Sequence, residues 1–217
     1  MGIPKSTLGT TNLKKAPAGR VIVFSDEKTW TVDPVRNRRN DRYLTFGEVD
    51  EDVRTMSTTK HPASVMSLGF VASNGKAMPL IWFPTDYRLN AVDYVKILQE
   101  KFLPWVQESF PDNNVVLQQD GAPAHTAKVT QSSWGSTCSF GPRRCAPPEP
   151  DANPLDYSFW VQVESKACTV RHPNVEALKT AVNEEWNRMT TDYIKRTCST
   201  FRKRIEAIIA ANGGYIE

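Results

Sequence analysis

The chain has 217 residues, 40% of them hydrophobic and 10% aromatic. That is enough for one sizeable core and excludes a disordered chain. No apolar run reaches the roughly 18 residues of a membrane span, the first 19 residues lack the apolar heart of a signal peptide, and a net charge of +3 is too mild to mark a nucleic-acid partner by itself.

Residues 1–19 carry Gly, Pro, Thr and Lys without periodicity and read as a loose tail. RVIVFSDE (20–27) is a β-branched run closing on acids, the pattern of a buried strand. TWTV (29–32) alternates and is expected to pair with it. A polar connection fills 33–60 and holds a basic cluster, RNRRNDR (36–42), and an acidic one, VDEDV (49–53). SVMSLGFVAS and KAMPLIWFP flank Asn74-Gly75, a hairpin signal because both residues tolerate positive φ. Pro79 has no N–H and belongs at an edge or a ladder end.

Val92, Val95, Leu98, Phe102 and Trp105 fall near helical spacing behind Asn90, a good N-cap. VVLQQ (115–119) is the next strand. The run 132–150, SSWGSTCSFGPRRCAPPEP, has no apolar period and reads as an irregular loop. Helices are expected over 153–167, along Val175–Met189 and along Ile194–Ile208, the last closed by Gly213-Gly214. The order of elements defines an α/β domain with a central mixed sheet flanked by helices.

Four cysteines stand at 138, 145, 168 and 198 without a CxxC pair, and they read as reduced thiols rather than a zinc site. His125 beside Cys138 and Cys145 lacks a fourth ligand.

Three aspartates stand apart. Asp26 closes VIVFSD, Asp120 closes VVLQQD, and Asp156 opens a helix in NPLDYSFW. Each alone could simply cap a turn. Together at one sheet rim they would repel unless a cation neutralised them. Mg²⁺ takes such oxygen ligands, and two such ions suit phosphodiester displacement. Asp120 is then a metal ligand, and Gly121-Ala122-Pro123 keeps the backbone close and rigid beside it. Glu27 points to the opposite face of its strand. His125 suits a phosphate, an attacking water or a plain helix start. Asn153 is a candidate cap for the helix of Asp156, and Trp160, Trp186 and Phe201 suit the core. Lys195, Arg202 and Lys203 share a basic face, either solvated or set against phosphates.

FSDEKTWTVDPVRNRRNDR, TKHPASVM, QQDGAPAHTAK, PDANPLDYSFW and FRKRIEAIIAANGGYIE together resemble mariner-type transposases of the DDE/D superfamily, from about Arg20 to Glu217. The resemblance implies an RNase H-like fold over 20–217 and DNA strand cleavage and transfer. It also implies two Mg²⁺ or Mn²⁺ ions on Asp26, Asp120 and Asp156, double-stranded DNA as partner, a homodimer and a nuclear location. Two departures qualify it. Only 19 residues precede the first strand, so the paired helix-turn-helix half of the family is not expected here. Between Ser132 and Pro150 the family pattern breaks and then resumes, as two compensating frameshifts, or a divergent loop, would leave it. A sheet strand is expected to be lost there and the third aspartate to be insecurely placed. The expectation is therefore an impaired transposase-type catalytic domain, set against a decayed or domesticated fragment that binds DNA or a partner without catalysis.

Overall fold

The structure is a computed structural model, which describes residues 20–34, 59–112, 114–137, 144–145 and 152–211. The tail, both charge clusters of the 33–60 connection, the Gly213-Gly214 cap and the side chains of Cys138 and Cys145 lie outside the described residues.

Five strands form one mixed sheet in the order β3-β2-β1-β4-β5. β1 (Val21–Thr31) is longer than its sequence pattern suggests, because TWTV continues the strand instead of pairing back on it. β2 (Ser64–Ala72) runs antiparallel to β1. The turn at Asn74-Gly75 forms as expected, with Gly75 at φ +98° and the Ala72 N–H donating to Lys76 O. Beyond Pro79, β3 (Ile81–Trp82) pairs antiparallel with β2.

α1 (Ala91–Ile97) begins at Asn90, whose side chain accepts the Asp93 N–H. A wider π turn, Leu98–Phe102, joins it to α2 (Leu103–Ser109). Pro104 accounts for the widening, since it removes an N–H and crowds the preceding turn. β4 (Val115–Gln119) lies parallel to β1. After it come α3 (Pro123–Thr126) and α4 (Lys128–Thr137).

Here the sequence reading needs correcting. Residues 132–137 are helical rather than irregular, and β5 (Arg144–Cys145) pairs parallel with β4, so the strand expected to be lost is present. Helix 128–137 lacks an apolar stripe, which hid it from a periodicity argument. The rest of that segment lies outside the described residues.

A π turn, Leu155–Phe159, leads into α5 (Trp160–Ala167), followed by α6 (Val175–Asn187), α7 (Thr191–Ser199) and α8 (Phe201–Ala210). α6 and α7 are capped by Asn174 and Thr190.

The sheet separates two cores. On one face Phe24 and Trp30 pack with Leu155, Phe159, Trp160, Leu178, Trp186 and Phe201. On the other, Val23, Leu68 and Phe70 pack with Tyr94, Leu98, Phe102 and Val106. This is the strand alternation of period two, with a helical layer on each face. Trp160, Trp186 and Phe201 are core residues, as the sequence suggested.

Candidate active site

The register of the sheet places the first two aspartates. β1 and β4 are parallel with Phe24 opposite Gln118. Two residues further along, Asp26 stands level with Asp120, just past the last ladder pair. On its other side Asp26 pairs with Gly69 of β2. Asp26 shares the face of Phe24, so it looks toward α5 and the turn that carries Asp156.

Asp156 is delivered by local bonds. Asn153 Oδ1 accepts the Leu155 N–H at 3.1 Å, and its amide donates to Ser25 O at 3.3 Å. The Asp156 N–H then donates to Asn153 O at 3.0 Å. Asn153 thus caps the turn, as expected, and also ties it to the residue before Asp26. Tyr157 adds a strut, donating to Thr197 O at 3.0 Å.

The structure therefore brings Asp26, Asp120 and Asp156 to one rim. Asp26 and Asp156 stand close enough for their negative charges to repel, which disfavours ionising both at once. Burial, then the neighbouring Asp156 charge, push the Asp26 carboxyl up to about 8, against the pull of a bond from Trp160. Burial also raises Asp156, partly offset by its bond with Asp26. The indole Nε1–H of Trp160 donates to Asp26 Oδ2 at 2.6 Å. Gly69 makes room for that indole, because a Cβ at 69 would lie 2.6 Å from its ring. Lys28, on the same face, pairs with Glu164 at 2.9 Å, and its positive charge also acts to lower Asp156.

Asp120 is held differently. His125 Nδ1 lies 2.5 Å from its Oδ1, and His125 Nε2 lies 3.1 Å from Glu27 Oε1. Glu27 does point to the opposite face of β1, where it meets this ring. Burial alone favours a neutral imidazole. The hydrogen bonds and charges of Asp120 and Glu27 outweigh it and hold the His125 pKa at about 9. The same His125 bond lowers Asp120 below the ordinary carboxylate range.

His125 is 1% exposed with both ring nitrogens engaged, so the sequence reading of it as a phosphate contact is corrected. Gly121 is also reread. It lacks a positive φ, and a Cβ there would meet nothing. The loop is tight because Asp120 Oδ1 accepts the Ala122 N–H at 3.0 Å. The turn-capping reading of Asp120 is thus met by this bond.

Lys195, Arg202 and Lys203 lie exposed on α7 and α8. Arg202 pairs with Glu206 at 3.0 Å. Their basic face belongs to the helical layer over the Asp26 side of the sheet.

The donor set, three carboxylates at a strand rim, suits a hard divalent cation. Among the described residues, however, no group of three or more His, Cys, Asp or Glu side chains is already arranged around one ion. The carboxylates hold the partners just named instead. The same residues contain no helix long and apolar enough to cross a membrane.

A mixed β-sheet between helical layers, with aspartates midway along β1, just after β4 and on the π turn before α5, is an RNase H-like architecture. Comparison with solved structures agrees. The Mos1 mariner paired-end complex with Mg superposes with a TM-score of 0.81 at 21% identity, over 98% of this chain and 62% of that one. The Mos1 paired-end complex with the left transposon end gives 0.80 at 20% identity with the same coverage. The isolated catalytic domain of Mos1 transposase gives 0.72 at 18% identity, over 100% of this chain and 98% of that one. The chain thus has the fold of the mariner transposase catalytic domain, and spans about 62% of the Mos1 chains in the DNA complexes. No protein-family model matches the sequence, and neither does any curated protein.

Proposed function

We propose that this chain is a transposase-derived catalytic domain that cuts DNA strands with divalent metal ions. One observation carries the reading: the fold gathers Asp26, Asp120 and Asp156 at a single sheet rim, where burial and mutual repulsion raise the Asp26 and Asp156 carboxyls. Asp26, Asp120 and Asp156 would hold Mg²⁺ or Mn²⁺, the metals named in the Mos1 complexes. Bound there, a pair of ions would supply activation of water and stabilisation of the leaving oxygen.

The chain's own groups do the rest. Asn153 and Trp160 fix Asp156 and Asp26 relative to β1. His125 keeps Asp120 ionised. Lys195, Arg202 and Lys203 offer phosphate contacts whose affinity for double-stranded DNA falls steeply with salt and depends little on sequence. Such a protein acts in the nucleus, as a homodimer where it joins two DNA ends. Full transposition needs recognition of those ends, which nothing in the rim supplies. Nicking is therefore the activity expected of these residues.

A second reading is favoured by the absence, among the described residues, of a preformed metal cluster. In it the domain binds DNA without cutting. Supercoiled plasmid with Mn²⁺ separates the two. Nicking that is lost in Asp120→Ala supports the catalytic reading. Salt-sensitive DNA binding with no nicking supports the second. Nicking that survives Asp120→Ala removes the rim from the chemistry.

A further inference from the structure

We infer that His125 is a positioning residue for Asp120, anchored from behind the sheet by Glu27. The inference rests on Asp120 serving the chemistry proposed above. The ring joins two carboxylates from different elements: Asp120 just past β4, at 2.5 Å from Nδ1, and Glu27 on β1, at 3.1 Å from Nε2. It is 1% exposed, so solvent does not compete for either nitrogen.

Further contacts hold the ring, its backbone and Asp120 in place. Tyr94 of α1 packs on it with centroids 4.3 Å apart, and the Tyr94 hydroxyl donates to Gln119 Oε1 at 2.6 Å. The backbone carbonyl of His125 accepts from Gln131 Nε2 at 2.8 Å. The Ala122 N–H reaches the same oxygen, Asp120 Oδ1, at 3.0 Å. Asp120 has no ladder partner of its own, because β4 ends at Gln119. Its side chain is aimed by this clamp rather than by the sheet. A carboxylate fixed by an outer partner is a better-placed ligand, and loss of such partners typically costs about 10–100-fold in metal affinity or activity.

The two nitrogens can be tested separately. The amide nitrogen of Asn overlays the Nδ1 position of a histidine, and that of Gln overlays Nε2. His125→Asn therefore keeps a donor toward Asp120, whereas His125→Gln keeps one only toward Glu27. Both lose the ring and its packing on Tyr94 alike. Mn²⁺ binding by paramagnetic resonance and plasmid nicking would be measured for the whole chain and both variants, with melting temperature as the check on folding. The expected result is binding and nicking about 10–100-fold weaker in His125→Gln, with His125→Asn within a few-fold of the parent. Glu27→Gln, which leaves the ring in place, should fall between them. Equal behaviour of the Asn and Gln variants, with the parent binding Mn²⁺, overturns the positioning role alone. A parent that neither binds Mn²⁺ nor nicks DNA overturns it together with the catalytic reading.

Discussion

At Asp120 a protonated imidazole sits directly on the carboxylate, whereas at Asp26 and Asp156 burial and mutual repulsion prevail over the charge of Lys28. The first carboxylate faces an imidazole held protonated by two acids, and its pKa falls. The other two face each other and a neutral indole, and their pKa values rise. Both halves lie at one end of the same strands, so their difference comes from what each face packs against. The Asp120 half is a polar clamp at the margin of the smaller core. The Asp26 half is wedged against the aromatic centre of the larger one, where Trp160 stacks on Trp186 at 5.3 Å and meets Trp30 edge-on at 5.7 Å. A half paired with its own imidazolium and a half where repulsion prevails are what a rim would show if the second awaits a cation.

The comparison breaks most visibly at Trp160. Its indole is 3% exposed and is both the bond donor to Asp26 and part of the core. Trp160→Ala should cost about 3–5 kcal/mol, measured by urea unfolding. His125→Asn, on the polar half, should cost much less. If the two variants were destabilised equally, the division into an aromatic half and a polar half would be wrong.

Gly69 gives a smaller effect on the same half. A Cβ there would approach the Trp160 ring to 2.6 Å and the Trp186 ring to 3.1 Å, and both indoles are buried. Gly69→Ala should destabilise by about 1–3 kcal/mol, the range for overpacking a filled core. It should also quench or shift tryptophan fluorescence, since the stacked pair must move. A variant as stable as the parent with an unchanged emission spectrum would show that the indole is not confined by the strand.

These residues also show where sequence reasoning stops. The strands, the Asn74-Gly75 turn, the Asn90 cap and both core helix faces were legible, because local rules of period and capping decide them. The three aspartates stood out as acids beside apolar runs, but Asp26 was read as closing a strand that in fact runs on to Thr31; its level with Asp120 follows from the parallel register of β1 and β4. Trp160 was legible only as core, since nothing local reveals that its N–H meets Asp26, 134 residues away. Gly69 had no signal at all in SVMSLGFVAS. Its role exists only once α5 lies across β2. Glu27 was assigned to the correct face, but its partner, 98 residues distant, was not foreseeable. The helical residues 132–137 were missed because the helix that carries them has no apolar stripe; at its start Thr130 Oγ1 donates to Ala124 O at 2.7 Å.

A titration tests the difference between the two halves directly. In chelator, Asp26 ionises near pH 8 in the folded chain, against an ordinary value of 3.8. A raised acid contributes its stability fully below the unfolded pKa and loses it as pH rises through the folded one. The parent should therefore lose stability between about pH 4 and pH 8, where the unfolded chain has released a proton that the native rim retains. Asp26→Asn removes that proton. Its amide oxygen can still accept from Trp160, and its NH₂ can donate to an ionised Asp156. Melting temperatures of the two proteins in EDTA should coincide near pH 4 and separate toward pH 8, with the Asn variant the more stable. A gap of about 1 kcal/mol corresponds to about 2–4 °C in a chain of this size. Adding Mn²⁺ at pH 8 should reverse the order, because the ion stabilises only the protein that can bind it. A parent that gains on the variant as pH rises in EDTA would mean that Asp26 already has a counter-charge, and the two halves of the rim would not differ in kind.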